Sequence, residues 1–148
     1  MARENMAKEA LRLAQDFAFT VIDGPPHAEH IARSCIIAAD FVAVQIEPSG
    51  LSTWAADLTV RQVGEAQGFK DSLKCGFVVS RKIGNTVIGR DIRSLAAAAG
   101  MPILAAEIEQ RVALAESLTM GRTIFEWPSG AAAAREIDRL TDEIVHAH

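Results

Sequence analysis

Phe17-Ala-Phe-Thr-Val-Ile-Asp-Gly-Pro-Pro26 is the stretch on which the reading of this chain turns. Residues 17–22 form a short apolar run, bounded by Asp16 on one side and by Asp23-Gly24-Pro25-Pro26 on the other. That length and those punctuating residues predict a buried strand. An aspartate at the end of such a strand faces the ligand edge of a parallel sheet. It can hold a magnesium ion through water, because Mg²⁺ keeps several waters and takes few carboxylates. Gly24 lets the backbone approach a phosphate closely, and the prolines stiffen the loop that follows. From these residues alone Asp23 has two readings: a support for magnesium, or the cap of a turn before a helix.

Working outward, the same alternation continues. Phe41–Ile46 is a second apolar run, closed by Pro48-Ser49-Gly50; Cys75–Val79 is a third, and Pro102–Ala106 a weaker fourth. Helical patterns lie between and around them, at residues 3–15, 28–38, 51–67, 86–99, 110–118 and 129–146. Ser52 or Thr53 is placed to cap the third of these, Gly100 to stop the fourth, and Ile137, Leu140, Ile144 and Val145 recur at helical spacing in the last. Continuous apolar strands separated by helices predict an α/β fold: a mostly parallel sheet with helices on both faces, formed by residues 1–148 as a single domain. Ligands of such sheets sit at the carboxyl ends of the strands. Asp23-Gly24, Glu47-Pro48 and Ser80-Arg81-Lys82 are therefore expected on one functional edge.

The bulk properties narrow the classes. An apolar fraction of 49% over 148 residues is a globular value. No apolar stretch is long enough to span a membrane, and the charged start does not read as a secretory signal, so a cytoplasmic location is expected. Cys35 and Cys75 sit in apolar runs and read as buried free thiols rather than a disulfide. With a net charge of −4 the chain as a whole is not a basic nucleic-acid binder. Residues 81–93 nevertheless carry Arg81, Lys82, Arg90 and Arg93 against Asp91 alone, while residues 136–143 carry Glu136, Asp138, Asp142 and Glu143. His27 and His30 lack a third clear ligand, so no zinc site is read there. Trp127, beside Pro128, reads either as a packing residue or as the cover of a nucleotide or partner surface.

The order of these strings resembles the ParA/MinD family of deviant Walker ATPases, most closely its small plasmid-partition members. The resemblance runs through Asp23-Gly24-Pro25-Pro26, Ala38-Ala39-Asp40, Glu47-Pro48-Ser49, Val78-Val79-Ser80-Arg81-Lys82, Glu109-Gln110-Arg111-Val112 and Gly121-Arg122-Thr123-Ile124-Phe125-Glu126. It implies a P-loop NTPase-like fold using ATP and Mg²⁺. Asp23 looks like the Walker B aspartate, with Gly24 to Pro26 as the switch loop. Ser80, Arg81 and Glu109 fall beside the nucleotide base, with serine standing where family members often carry asparagine. The implied partners are a homodimer mate, a centromere-binding protein and nonspecific DNA, with no membrane. Arg81, Lys82, Arg90, Arg93, Arg111 and Arg122 are the DNA-binding candidates.

One family signature is missing. No Gly-Lys dipeptide occurs, so no Gly-x-x-x-x-Gly-Lys-[Ser/Thr] loop is present, and the residue five before Gly121 is Glu116. That loop supplies most of the phosphate binding and charge stabilisation. The chain therefore reads as the C-terminal portion of a partition ATPase, lacking the N-terminal P-loop strand and inactive by itself, with no catalytic residue assigned. A truncated gene, a start site assigned too late, or a half made separately would each account for it. The alternative reading is a noncatalytic α/β interaction or dimerisation module.

Overall fold

A computed structural model describes residues 6–24, 29–48, 50–84, 92, 94, 97 and 99–147. In chain order these form α1 (Met6–Ala14), α2 (Glu29–Ala38), β1 (Phe41–Ile46), α3 (Gly50–Gln67), β2 (Lys74–Lys82), β3 (Ile103–Glu109), α4 (Val112–Thr119), a 3₁₀ turn (Ile124–Glu126) and α5 (Ala131–His146). The β-branched and aromatic residues of Phe-Val-Ala-Val-Gln-Ile favour the extended β1. Residues 92, 94 and 97 are helical; the rest of the expected helix at 86–99 lies largely outside the described residues. Gly100 and Gly121 both have positive φ, +76° and +65°, so the helices before them end where only glycine turns without strain.

The three strands lie side by side in the order β1-β2-β3, all parallel. β1 pairs with β2 in unbroken register from Phe41↔Lys74 to Ile46↔Val79. The β2–β3 pairing runs Phe77↔Ile103, Val79↔Glu107 and Lys82↔Glu109, with an irregularity in each interval. The central strand is buried on both faces. Phe77 and Val79 face a core that includes Val44 and Ile46 of β1, Ile36 of α2, Val63 and Ala66 of α3, and Ile92. Val78 points to the other side, where Leu104, Ala106, Ile108 and Ala133 of α5 are buried. Gly76 lies on that second face, where a Cβ would touch the Leu104 side chain at 3.4 Å. Helices therefore cover both faces of a parallel sheet, as the continuous apolar runs predict.

Several expectations need correction. Residues 17–22 form no strand: they follow α1 as irregular chain, with Phe17 65%, Phe19 67% and Val21 94% exposed. A strand needs a neighbour for its backbone donors and acceptors, and among the described residues none is paired with this run. β2 extends past Val79 to Lys82, so Ser80, Arg81 and Lys82 end the strand rather than follow it. α3 begins at Gly50, which puts Ser52 and Thr53 inside the helix instead of at its cap. The cysteines are free but only half-buried. Burial pushes both thiols up, and for Cys75 the side-chain amide of Gln67 partly opposes it.

Candidate functional site: the carboxyl edge of the sheet

The ends of the three parallel strands carry alternating acids and bases, and the sheet sets them next to each other. Glu47 follows β1 and reaches across to Arg81 near the end of β2, Oε1 to Nη1 at 3.2 Å. Arg81 is the one non-glycine residue with positive φ (+52°) among those described. It sits in the interval where the β2–β3 register is irregular. Bulged, left-handed positions of this kind cost local free energy and re-aim a side chain. Here the guanidinium is turned toward Glu47. Lys82 pairs with Glu107 of β3 and its carbonyl accepts the N–H of Gln110 at 2.9 Å, which ties the end of β2 to the chain leaving β3.

The far end of β3 is held by α5. Arg111 Nη2 reaches Glu109 Oε2 at 2.7 Å and Glu136 Oε1 at 2.5 Å. Glu136 also accepts the backbone N–H of Glu109 at 3.1 Å. Seven residues on, two helical turns along the same face, Glu143 accepts the N–H groups of Ala105 and Ala106 at 2.6 and 2.8 Å. Seven residues of helix rise roughly 10 Å, within the roughly 10–13 Å that separates residues 105 and 106 of a strand from residue 109. α5 thus runs antiparallel to β3 and its carboxylates accept N–H groups of that strand. Burial alone would raise the Glu136 carboxyl. The hydrogen bonds from Arg111 and Glu109 and the charges of Arg111 and Arg139 outweigh it and hold the carboxyl below its ordinary value.

The other expected site residues are placed differently. Asp23 and Gly24 are exposed in irregular chain, and nothing lies within 4 Å of where a Cβ of Gly24 would be. Ser80 is half-buried near the end of β2. Arg90 and Arg93 lie outside the described residues. Arg122 lines, with Trp127, a cleft that shares no lining residue with the three paired cations. Of the six basic candidates, Arg81, Lys82 and Arg111 are thus each matched to a carboxylate.

No family model matches the chain. The chain is 27% identical over 139 residues to the Maintenance of carboxysome distribution protein A of Halothiobacillus neapolitanus. The match covers 91% of this chain and 64% of that protein, so the chain spans less than two thirds of its relative. The similarity supports a ParA-like family.

ATP and Mg²⁺ belong to that family's chemistry. The residues present do not by themselves build a site for them: Asp23 is exposed outside the sheet, and no Gly-Lys loop occurs to cradle a phosphate. Among the described residues no group of His, Cys, Asp and Glu is arranged to hold a metal, and no helix is long and apolar enough to cross a membrane. In the sequence Glu136 and Glu143 read only as charges. Their seven-residue spacing was the available signal, since it sets two acids on one helix face. Thr123-x-x-Glu126 was another: the Glu126 carboxylate accepts the N–H and hydroxyl of Thr123 at 2.9 and 2.8 Å.

Proposed function

We propose that this chain is the nucleotide-edge portion of a ParA-like positioning ATPase and serves a partition-like role. The observation that carries the reading is the similarity over 91% of the chain to a protein that maintains carboxysome distribution. A parallel sheet with charged carboxyl ends is in keeping with it. In this reading Asp23 supports Mg²⁺ and Ser80, Arg81 and Glu109 line the base, once the phosphate loop is supplied. The cargo is DNA, of a plasmid or chromosome, with a homodimer mate, a centromere-binding protein and nonspecific DNA as partners. The absent Gly-Lys loop favours a second reading, in which the chain only binds a partner or its own copy.

The test is a phosphate-release assay with ATP and Mg²⁺. The chain alone is expected to release no phosphate above background. A fusion that adds the glycine-rich, two-lysine segment of a ParA-like protein ahead of Met1 is expected to hydrolyse ATP and to lose that activity on Asp23→Ala. A folded fusion without activity, or activity indifferent to Asp23→Ala, refutes the ATPase reading and leaves the interaction module. Release by the chain alone that Asp23→Ala abolishes refutes the claim that the missing loop is needed.

A further inference from the structure

Arg81 holds a backbone conformation that a bulky side chain does not favour. Its φ is +52°, the one positive value at a non-glycine residue among those described. There the Cβ crowds the backbone, which costs local free energy. Such residues persist only where their surroundings over-determine them, and they cluster at ligand clamps and switches. The surroundings of Arg81 are specific. On one side Val79 is buried and in register with Ile46 of β1. On the other, the Lys82 carbonyl accepts the N–H of Gln110 at 2.9 Å, and the Lys82 side chain pairs with Glu107. The strain is thus confined between two anchored residues, where the β2–β3 register is already irregular.

The contact made from this conformation is with Glu47, whose Oε1 lies 3.2 Å from Arg81 Nη1. Both side chains are open to solvent, so water screens the pair and it adds little to folding. Its position gives it another use. Parallel sheets take ligands at the carboxyl ends of their strands. A guanidinium matches two phosphate oxygens with two parallel donors. In this chain the guanidinium is turned to a carboxylate instead.

We propose that Glu47 and Arg81 form a latch on an anion site. The carboxylate occupies the guanidinium until a phosphate-bearing ligand displaces it, and Arg81 then leaves the left-handed conformation. The proposal rests on the reading of this edge as part of a nucleotide site and adds the regulation of that site: a competing anion built into the chain. Because the strain is confined to Arg81, opening the latch leaves the pairing of β1 with β2 intact. Because the carboxylate competes with the ligand, neutralising it raises affinity.

Titration of the whole chain with pyrophosphate, at fixed ionic strength and followed by the NMR amide signals of residues 80–82, tests this. Glu47→Gln is expected to bind about threefold tighter than wild type, the factor that corresponds to an exposed ion pair. Glu65→Gln removes the same charge from another exposed pair, with Arg33, and is expected to change nothing. Arg81→Gly accepts a positive φ without strain and has no guanidinium; it is expected to lose the binding and to cancel the gain of Glu47→Gln in the double variant. Adenosine, which has a base and no phosphate, is expected to bind wild type and Glu47→Gln alike. Neither Glu47 nor Arg81 is buried, so circular dichroism should show an unchanged fold. Equal affinity of Glu47→Gln and wild type, an equal gain from Glu65→Gln, a gain that survives Arg81→Gly, or an equal gain for adenosine each overturns the proposal. None of these readouts needs catalysis, so a fusion that fails to hydrolyse ATP and a latch that fails to open are told apart.

Discussion

Glu136 is the side chain whose removal the structure prices most directly. It is 9% exposed, and its two oxygens accept from Arg111 at 2.5 Å and from the Glu109 N–H at 3.1 Å. A hydrogen bond to a charged group contributes roughly 1.5–3 kcal/mol net. Glu136→Ala forfeits two such bonds. Arg111 keeps the Glu109 carboxylate at 2.7 Å, so its guanidinium is not orphaned, whereas the N–H of Glu109 loses its partner. The expected loss is therefore about 3 kcal/mol, the low end of the two-bond sum. In a domain of this size that lowers Tm by roughly 5–10 °C. Glu136→Gln keeps the shape and an acceptor oxygen and should lose about half as much. Urea unfolding followed by circular dichroism at pH 7 measures both. A loss under about 0.5 kcal/mol for Glu136→Ala, the level of an ordinary surface change, would refute the claim that α5 fixes the end of β3. Acid provides a second axis. The folded carboxyl lies below the ordinary value of 4.5, so the unfolded chain takes up this proton first as pH falls. The stabilisation from Glu136 is thus complete above that value and is lost as pH drops through the folded one. Glu136→Gln should remove that share of the acid sensitivity and leave the slope above pH 6 unchanged.

Two further outcomes follow from packing. A methyl at position 130 would run into the Ile124 carbonyl oxygen and come within 3.0 Å of that of Trp127; Gly130→Ala should cost about 1–3 kcal/mol in a thermal melt, and a neutral result would mean the loop yields freely. Phe17 and Phe19 are exposed, so Phe17→Ser with Phe19→Ser should leave unfolding free energy within about 0.5 kcal/mol and raise the concentration at which light scattering first appears; a large loss of stability would show that the run is buried after all.

What the sequence revealed and what it hid divide along one physical line. Phe41–Ile46 is legible because its apolar run ends at Pro48 and its β-branched residues pack against a neighbour that the chain itself supplies. Residues 17–22 are of the same length and similarly apolar but have no partner strand among the described residues, and strand formation depends on the partner as much as on the run. The carboxyl-edge position of Glu47 and Arg81 was legible from strand order alone. Their pairing was not, because it depends on the left-handed backbone at Arg81, and nothing local in Ser80-Arg81-Lys82 demands that conformation. Glu136 and Glu143 were hidden for another reason: their partners are backbone N–H groups, and every residue but proline offers one.

The charges at the carboxyl edge impose a condition on any anion that binds there. A bare cluster of Arg81, Lys82 and Arg111 would attract phosphate strongly, but each of these cations already faces a carboxylate held in place by a strand or by α5. An incoming phosphate must displace that carboxylate or add to a pair whose net charge is near zero, and either way much of the Coulomb gain is lost. The three pairs differ in how readily they open. Arg81 and Glu47 are 63% and 40% exposed, and the strain of a left-handed arginine is relieved if the residue leaves that conformation. Lys82–Glu107 and Arg111–Glu136 are more enclosed, and Glu136 is committed to the backbone of β3 as well. An anion at this edge should therefore meet Arg81 first, with Glu47 as the group it displaces, while Arg111 keeps to the structural task of joining β3 to α5.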